Sequence, residues 1–141
     1  MARTILLPID LGNPTAPAAA LNEALKLLDP EGTLHVVAVL PDYGYAQVSG
    51  FFRQGYEQEA LKALGKALSA WVADNVPEGV AVHPHVLHGT IYDEILRAAG
   101  KLEVDLIVIG AHRPEFSDYL LGPNAARVVR HARQSVYVVR T

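Results

Sequence analysis

The chain has 141 residues, half of them hydrophobic and 19% charged, a formal net charge of −3 and no cysteine. That length and apolar content suit one domain with a real core and exclude a disordered chain. The acidic balance, without any lysine or arginine run, speaks against nucleic acid or an anionic membrane as the main partner, and the lack of cysteine excludes disulfides and thiol catalysis.

Residues 4–10 (TILLPID) read as a first buried strand ending near Pro8, since proline suits a strand end better than its middle. This run is too short for a signal peptide and is broken by Pro8. Nothing approaches the roughly twenty apolar residues of a membrane span, so a cytoplasmic protein is expected. Gly12-Asn13-Pro14-Thr15 leads into a helix with Thr15 as its expected N-cap and Pro17 in its first turn, where a missing N–H costs little. Ala20, Leu21, Ala24, Leu27 and Leu28 make its apolar face, and Asp29-Pro30-Glu31-Gly32 is the stop signal. The second strand spans 33–40 (TLHVVAVL) and is ended by Pro41.

Regular pattern lapses over residues 42–58, where Tyr43, Tyr45, Phe51, Phe52 and Tyr56 stand among Gly44, Gly50 and Gly55. Such a loop reads as an aromatic lid over a flat ligand, as a contact with another subunit, or as a cover for its own core. Leu61, Leu64, Leu68, Trp71 and Val72 then mark a long helix, stopped by residues 75–79 (NVPEG). A third strand over 80–87 (VAVHPHVL) contains Pro84 and so belongs at a sheet edge. Its His83 and His85 share one face, while His88 lies three residues further on with no carboxylate nearby in sequence. These are read as solvated edge histidines rather than metal ligands. Thr90-Ile91-Tyr92-Asp93 resembles a capping box, and Ile91, Ile95, Ala98 and Leu102 continue a third helix.

The stretch from 104 to 131 organises the rest. Residues 105–109 (DLIVI) form a strand buried on both faces that ends on Gly110. A polar loop follows, and Gly122-Pro123-Asn124 opens a helix whose apolar face is Ala125, Val128, Val129 and Ala132. The first turn leaves the N–H groups of Gly122, Asn124 and Ala125 without intrahelical partners, and the helix dipole adds partial positive charge there. An anion fits such a place, with His112 and Arg113 as further donors, although a plain strand–loop–helix connection would use the same residues. Residues 135–140 (SVYVVR) make a fifth strand.

Strands alternating with helices imply one α/β domain over residues 1–141, a three-layer sandwich with a five-stranded parallel sheet between helices. Right-handed crossovers favour the strand order 3-2-1-4-5. Winding then reverses between strands one and four, where open α/β sheets bind ligands outside the carboxyl ends of the strands. Asp10 and Gly110 lie at those two ends, so an acidic residue able to take a ribose hydroxyl meets the anion-binding loop.

ILLPID, HVVAVLPD, HGTIYDEIL and DLIVIGAHR followed by YLLGPNAARVVRHARQSVYVVR together resemble the successive signatures of the universal stress protein family along the whole chain. The likeness is strongest to the ATP-binding branch whose loop reads His-Arg-Pro. It implies an ATP site, with magnesium bridging phosphate oxygens. By position, Gly110 and Gly122 match the first and third glycines of the family's Gly-x-x-Gly, nine residues, Gly-Ser/Thr motif. Pro8 and Asp10 match the strand end that meets adenine and ribose, and Val39 matches the backbone position that reads the adenine edge. With their neighbours Ile9 and Ile109, and with His112, Arg113, Asn124 and Ala125, these make up the expected nucleotide site. Three departures stand out: Arg113 replaces the second glycine, eight residues rather than nine precede Gly122, and Pro123 replaces the serine or threonine.

No Walker lysine motif or Gly-x-Gly-x-x-Gly is present, and Ser117 beside Asp118 has no positioned base, so no catalytic constellation is expected. The resemblance allows at most slow ATP hydrolysis. An ATP-binding regulatory protein of the stress response is the leading reading. A non-binding interaction module of the same fold is the alternative, and a phosphohydrolase is the weakest. A homodimer through residues 135–140, or a tetramer, is expected because an apolar terminal strand invites pairing with a second copy.

Overall fold

The computed structural model describes residues 2–12, 15–41, 56–111 and 123–140. In chain order these form β1 (Ala2–Pro8), α1 (Ala16–Leu27), β2 (Leu28–Pro41), α2 (Tyr56–Asn75), β3 (Ala81–Gly89), α3 (Ile91–Lys101), β4 (Leu106–Ala111), α4 (Pro123–His131) and β5 (Ser135–Arg140). All strand pairs are parallel and the sheet runs β3-β2-β1-β4-β5, the expected order. Pro84 lies in the edge strand β3, opposite Val36.

Alternation along the strands divides the core between two faces. Ile5, Leu7, Leu34, Val36, Ala38 and Val108 pack against Ala20, Leu21 and Ala24 of α1 and Leu68 of α2. Leu6, Val37, Ile107 and Ile109 turn the other way, against Ile95, Ala98 and Ala99 of α3 and Ala125 and Val128 of α4. Ile5, Leu6 and Leu7 are wholly inaccessible. A central strand with a helical layer on each side has no polar face to offer water, which is why its sequence does not alternate.

Four local expectations need correction or refinement. β2 begins at Leu28, not Thr33: its register against β1 jumps from Ala2↔Leu28 to Thr4↔Thr33, so residues 29–32 bulge out of the ladder. Asp29 Oδ1 accepts the Glu31 N–H at 2.9 Å within that bulge, and α1 still stops at Leu27. Thr15 and Thr90 occupy N-cap positions, yet neither makes a side-chain cap hydrogen bond, so the capping box at Thr90 does not form. Finally, Val129 is 51% exposed. Ala125, Val128 and Ala132 make the inner stripe of α4, and a residue one step past Val128 rotates about 100° away from it. The aromatic cluster Tyr43, Tyr45, Phe51 and Phe52 lies outside the described residues.

α3 ends in a tight hydrogen-bonded turn. The Val104 N–H donates to Ala99 O and the Glu103 N–H to Gly100 O, both at 3.2 Å, and Glu103 takes φ 52°. This is a Schellman closure with glutamate where glycine is usual, and buried Val104 shares a cluster with Ala99. Glutamate pays a steric penalty in that left-handed conformation. Glu103→Gly is therefore expected to stabilise the fold by about 1 kcal/mol. Thermal unfolding should rise by roughly 3 °C.

Candidate functional site

β1 and β4 are paired only at Ile5↔Leu106 and Leu6↔Ile107. On their outer sides both continue: β1 stays on β2 as far as Pro8↔Val37, and β4 stays on β5 as far as Ala111↔Arg140. The two central strands thus part at their carboxyl ends, at the point where winding reverses. A backbone cause lies in Pro8. Thr4 O accepts the Asp105 N–H at 2.8 Å, whereas the Ile9 N–H donates to Val37 O at 2.9 Å. Even-numbered residues of β1 therefore turn their backbone toward β4 and odd-numbered ones toward β2. Pro8 falls on the β4 side with no hydrogen to give, so the ladder lacks a donor where the gap opens.

The residues at these strand ends are apolar and buried: Ile9 is 3% exposed and packs on the side of α1 and α2, Ile109 is inaccessible and packs on the side of α3 and α4, and Pro8 and Gly110 are buried. Val39 lies two residues beyond the Pro8 partner Val37, level with Asp10, and packs with the cluster that contains Ile109. Asp10 is half-buried just past β1, and its Oδ1 accepts the Gly12 N–H at 2.9 Å, which orients the carboxylate in a tight turn. Pro8, Ile9, Asp10, Val39, Ile109 and Gly110 are thus gathered at neighbouring strand ends. His112, Arg113 and Gly122 lie outside the described residues.

α4 begins at Pro123 and has no acidic residue in its first turn, whereas α3 has Asp93 and Glu94 and α2 has Glu57 and Glu59. Its dipole is not offset by a carboxylate of its own first turn. Asn124 does something the sequence did not announce: its Oδ1 accepts the Tyr92 N–H at 3.1 Å, satisfying a backbone donor in the first turn of α3 that Thr90 leaves uncapped. Arg127 stacks its guanidinium 4.8 Å above the Tyr92 ring. Together these contacts tie the starts of α3 and α4. Ala125 is buried beside them, at 5% exposure.

Of the histidines of β3, His83 is the exposed edge residue that spacing suggests, whereas His85 and His88 are half-buried. His35 of β2 pairs with His83 of β3, with ring centroids 5.5 Å apart, and its Nδ1 lies 2.9 Å from His85 Nε2. His88 instead meets Glu57 at 3.5 Å, a carboxylate distant in sequence. Burial first, then the neighbouring imidazoles, hold the His35 and His85 pKa values below the usual 6.5. The folded state therefore binds fewer protons than the unfolded chain. The stability these groups contribute is complete above pH 6.5 and is lost as pH falls through the lowered folded values. Urea unfolding should show a lower midpoint at pH 5.5 than at 7.5, with the difference reduced in a His35→Gln/His85→Gln variant.

These features define an open, doubly wound α/β domain whose two central strands part at its topological switch point. The family model for the universal stress protein family matches residues 1–140, and the chain belongs to that family. Universal stress protein G of Escherichia coli O157:H7 is 32% identical over 146 residues, covering 99% of this chain and all of that protein. Among solved structures, that of the protein MJ0577 superposes with a TM-score of 0.77 at 20% identity, covering 99% of this chain and 96% of the other. A universal stress protein from Archaeoglobus fulgidus, solved in complex with dAMP, has a TM-score of 0.61 at 22% identity, covering 96% and 95%. Among the described residues, no helix is long and apolar enough to cross a membrane.

Proposed function

We propose that this chain is a nucleotide-binding regulatory protein of the stress response that holds ATP in the crevice between β1 and β4. The observation that carries the reading is the parting of those strands beyond Leu6 and Ile107, with Asp10 at the rim. A fold neighbour complexed with dAMP adds support for the ligand class. In this reading adenine lies against Val39 and Ile109, which share one face of the sheet, and Asp10 takes a ribose hydroxyl. The phosphates lie at the start of α4, among Gly110, His112, Arg113, Gly122, Asn124 and Ala125, with Mg²⁺ bridging their oxygens.

Calorimetry on nucleotide-free protein tests this directly. Saturable heat with ATP and magnesium is expected, and Asp10→Ala should weaken binding about tenfold, the worth of a hydrogen bond to a charged group. No heat at millimolar ATP overturns the reading in favour of an interaction module, which Pro123, unable to donate, would suit. Under either reading a second copy pairs through β5. Tyr137 stands 40% exposed on that edge strand, beside an open groove of about 690 Å³ against α1. Sedimentation is expected to show a dimer at micromolar concentration; a monomer alone would contradict it.

A further inference from the structure

The imidazole cluster lies on β2 and β3, on the far side of β1 from the crevice. His83 and His85 are two residues apart on one strand and so project from the same face, and His35 stands opposite His83 on the neighbouring strand. Val37 and Leu87, in register with this alternation, place that face on the side of α3 and α4. His83 is exposed and His35 and His85 are half-buried, so the group is open to solvent on one side.

His35 Nδ1 and His85 Nε2 are 2.9 Å apart. Two ring nitrogens approach so closely only when one carries a hydrogen and the other a lone pair, so at least one ring is neutral and a single proton sits between them. A tetrahedral ion bonded to two imidazoles at about 2.0–2.1 Å holds the nitrogens about 3.3 Å apart. Exchanging that proton for an ion therefore asks the pair to open by a few tenths of an ångström and each ring to tilt so that its lone pair meets the ion off the line joining the nitrogens. Both rings stand on strands hydrogen-bonded to each other, so the spacing is set by the sheet. The ring of His83, 5.5 Å from that of His35 between centroids, is stacked rather than convergent, and among the described residues no three potential ligands already point at one spot. His83 is exposed, so turning its ring out of the stack costs little burial.

We propose that His35 Nδ1 and His85 Nε2 bind one divalent transition-metal ion, with His83 as a third ligand and water completing the shell. A nitrogen-only donor set favours zinc, nickel or copper over magnesium or calcium, whose preferred ligands are oxygens. The site is separate from the crevice and does not depend on nucleotide binding.

The test is titration of the untagged full chain with zinc chloride, followed by calorimetry. One equivalent is expected to bind saturably, and His35→Asn or His85→Asn should each weaken binding by at least about tenfold. His83→Asn should weaken it less, and His88→Asn, altering the ring beside Glu57 on the opposite face, should leave it unchanged. Absence of saturable binding, or full affinity in the His35→Asn and His85→Asn variants, overturns the proposal. Should those variants fail to fold, nitrogen-15 spectra of the wild-type imidazoles decide: zinc must shift the ring nitrogens of His35 and His85, and unchanged signals there refute the site.

Discussion

Replacing Pro123 with serine is expected to tighten ATP binding by about tenfold to a hundredfold, read by calorimetry on the two nucleotide-free proteins. Proline is the first residue of α4, where the helix has no hydrogen-bonding use for its nitrogen. For the helix the residue is suitable; for an anion at the same end it withholds one backbone donor and any hydroxyl. Serine restores both, and donors to a charged phosphate are worth about 1 to 3 kcal/mol together. The exchange disturbs little else, because position 123 is exposed and the ties to α3 run through Asn124 and Arg127. A serine variant that melts like wild type yet binds ATP no more tightly would mean that the first residue of α4 does not face the phosphates.

Gly32→Ala is expected to be strongly destabilising, by about 2–3 kcal/mol, the range for forcing an extra carbon into a packed interior. A Cβ there would lie 2.7 Å from Arg3 O, 2.8 Å from Leu28 Cδ1 and 3.0 Å from Asp29 O. Two of these are backbone atoms of the β1 start and of the bulge itself, so relief requires shifting the strand that carries Ile5, Leu6 and Leu7. Gly100→Ala supplies the contrast. Nothing lies within 4 Å of its added carbon, and alanine is favoured over glycine in a helix, so a gain of about 0.5–1 kcal/mol is expected. Urea unfolding of the two variants beside wild type should move the midpoint in opposite directions; a neutral Gly32→Ala would show that the bulge is not packed as described.

Order and type of the elements were legible because the chain repeats one unit, an apolar run followed by an amphipathic helix, and right-handed crossovers leave few ways to wind it. Pro84 marked an edge, and Pro8 with Asp10 marked a strand end, since proline's lost donor acts locally. The candidate site was legible as far as strand ends are. Asp10, Val39 and Gly110 could be placed together once winding order was known. Asn124 could not be assigned its contact with Tyr92, because helix starts 32 residues apart meet only through packing.

What the amino-acid sequence by itself determined is the parallel sheet, its helical covers and its family, all properties of periodicity and short-range stereochemistry. Tertiary structure alone decided which groups face one another across strands. His35 carries no signal beside the histidines of β3, 48 and more residues away, until the register of β2 on β3 brings them together. The bulge at residues 29–32 and the glutamate in a glycine conformation at position 103 are of the same kind: local preference is overruled where burial of the surrounding core releases more free energy than the distortion costs.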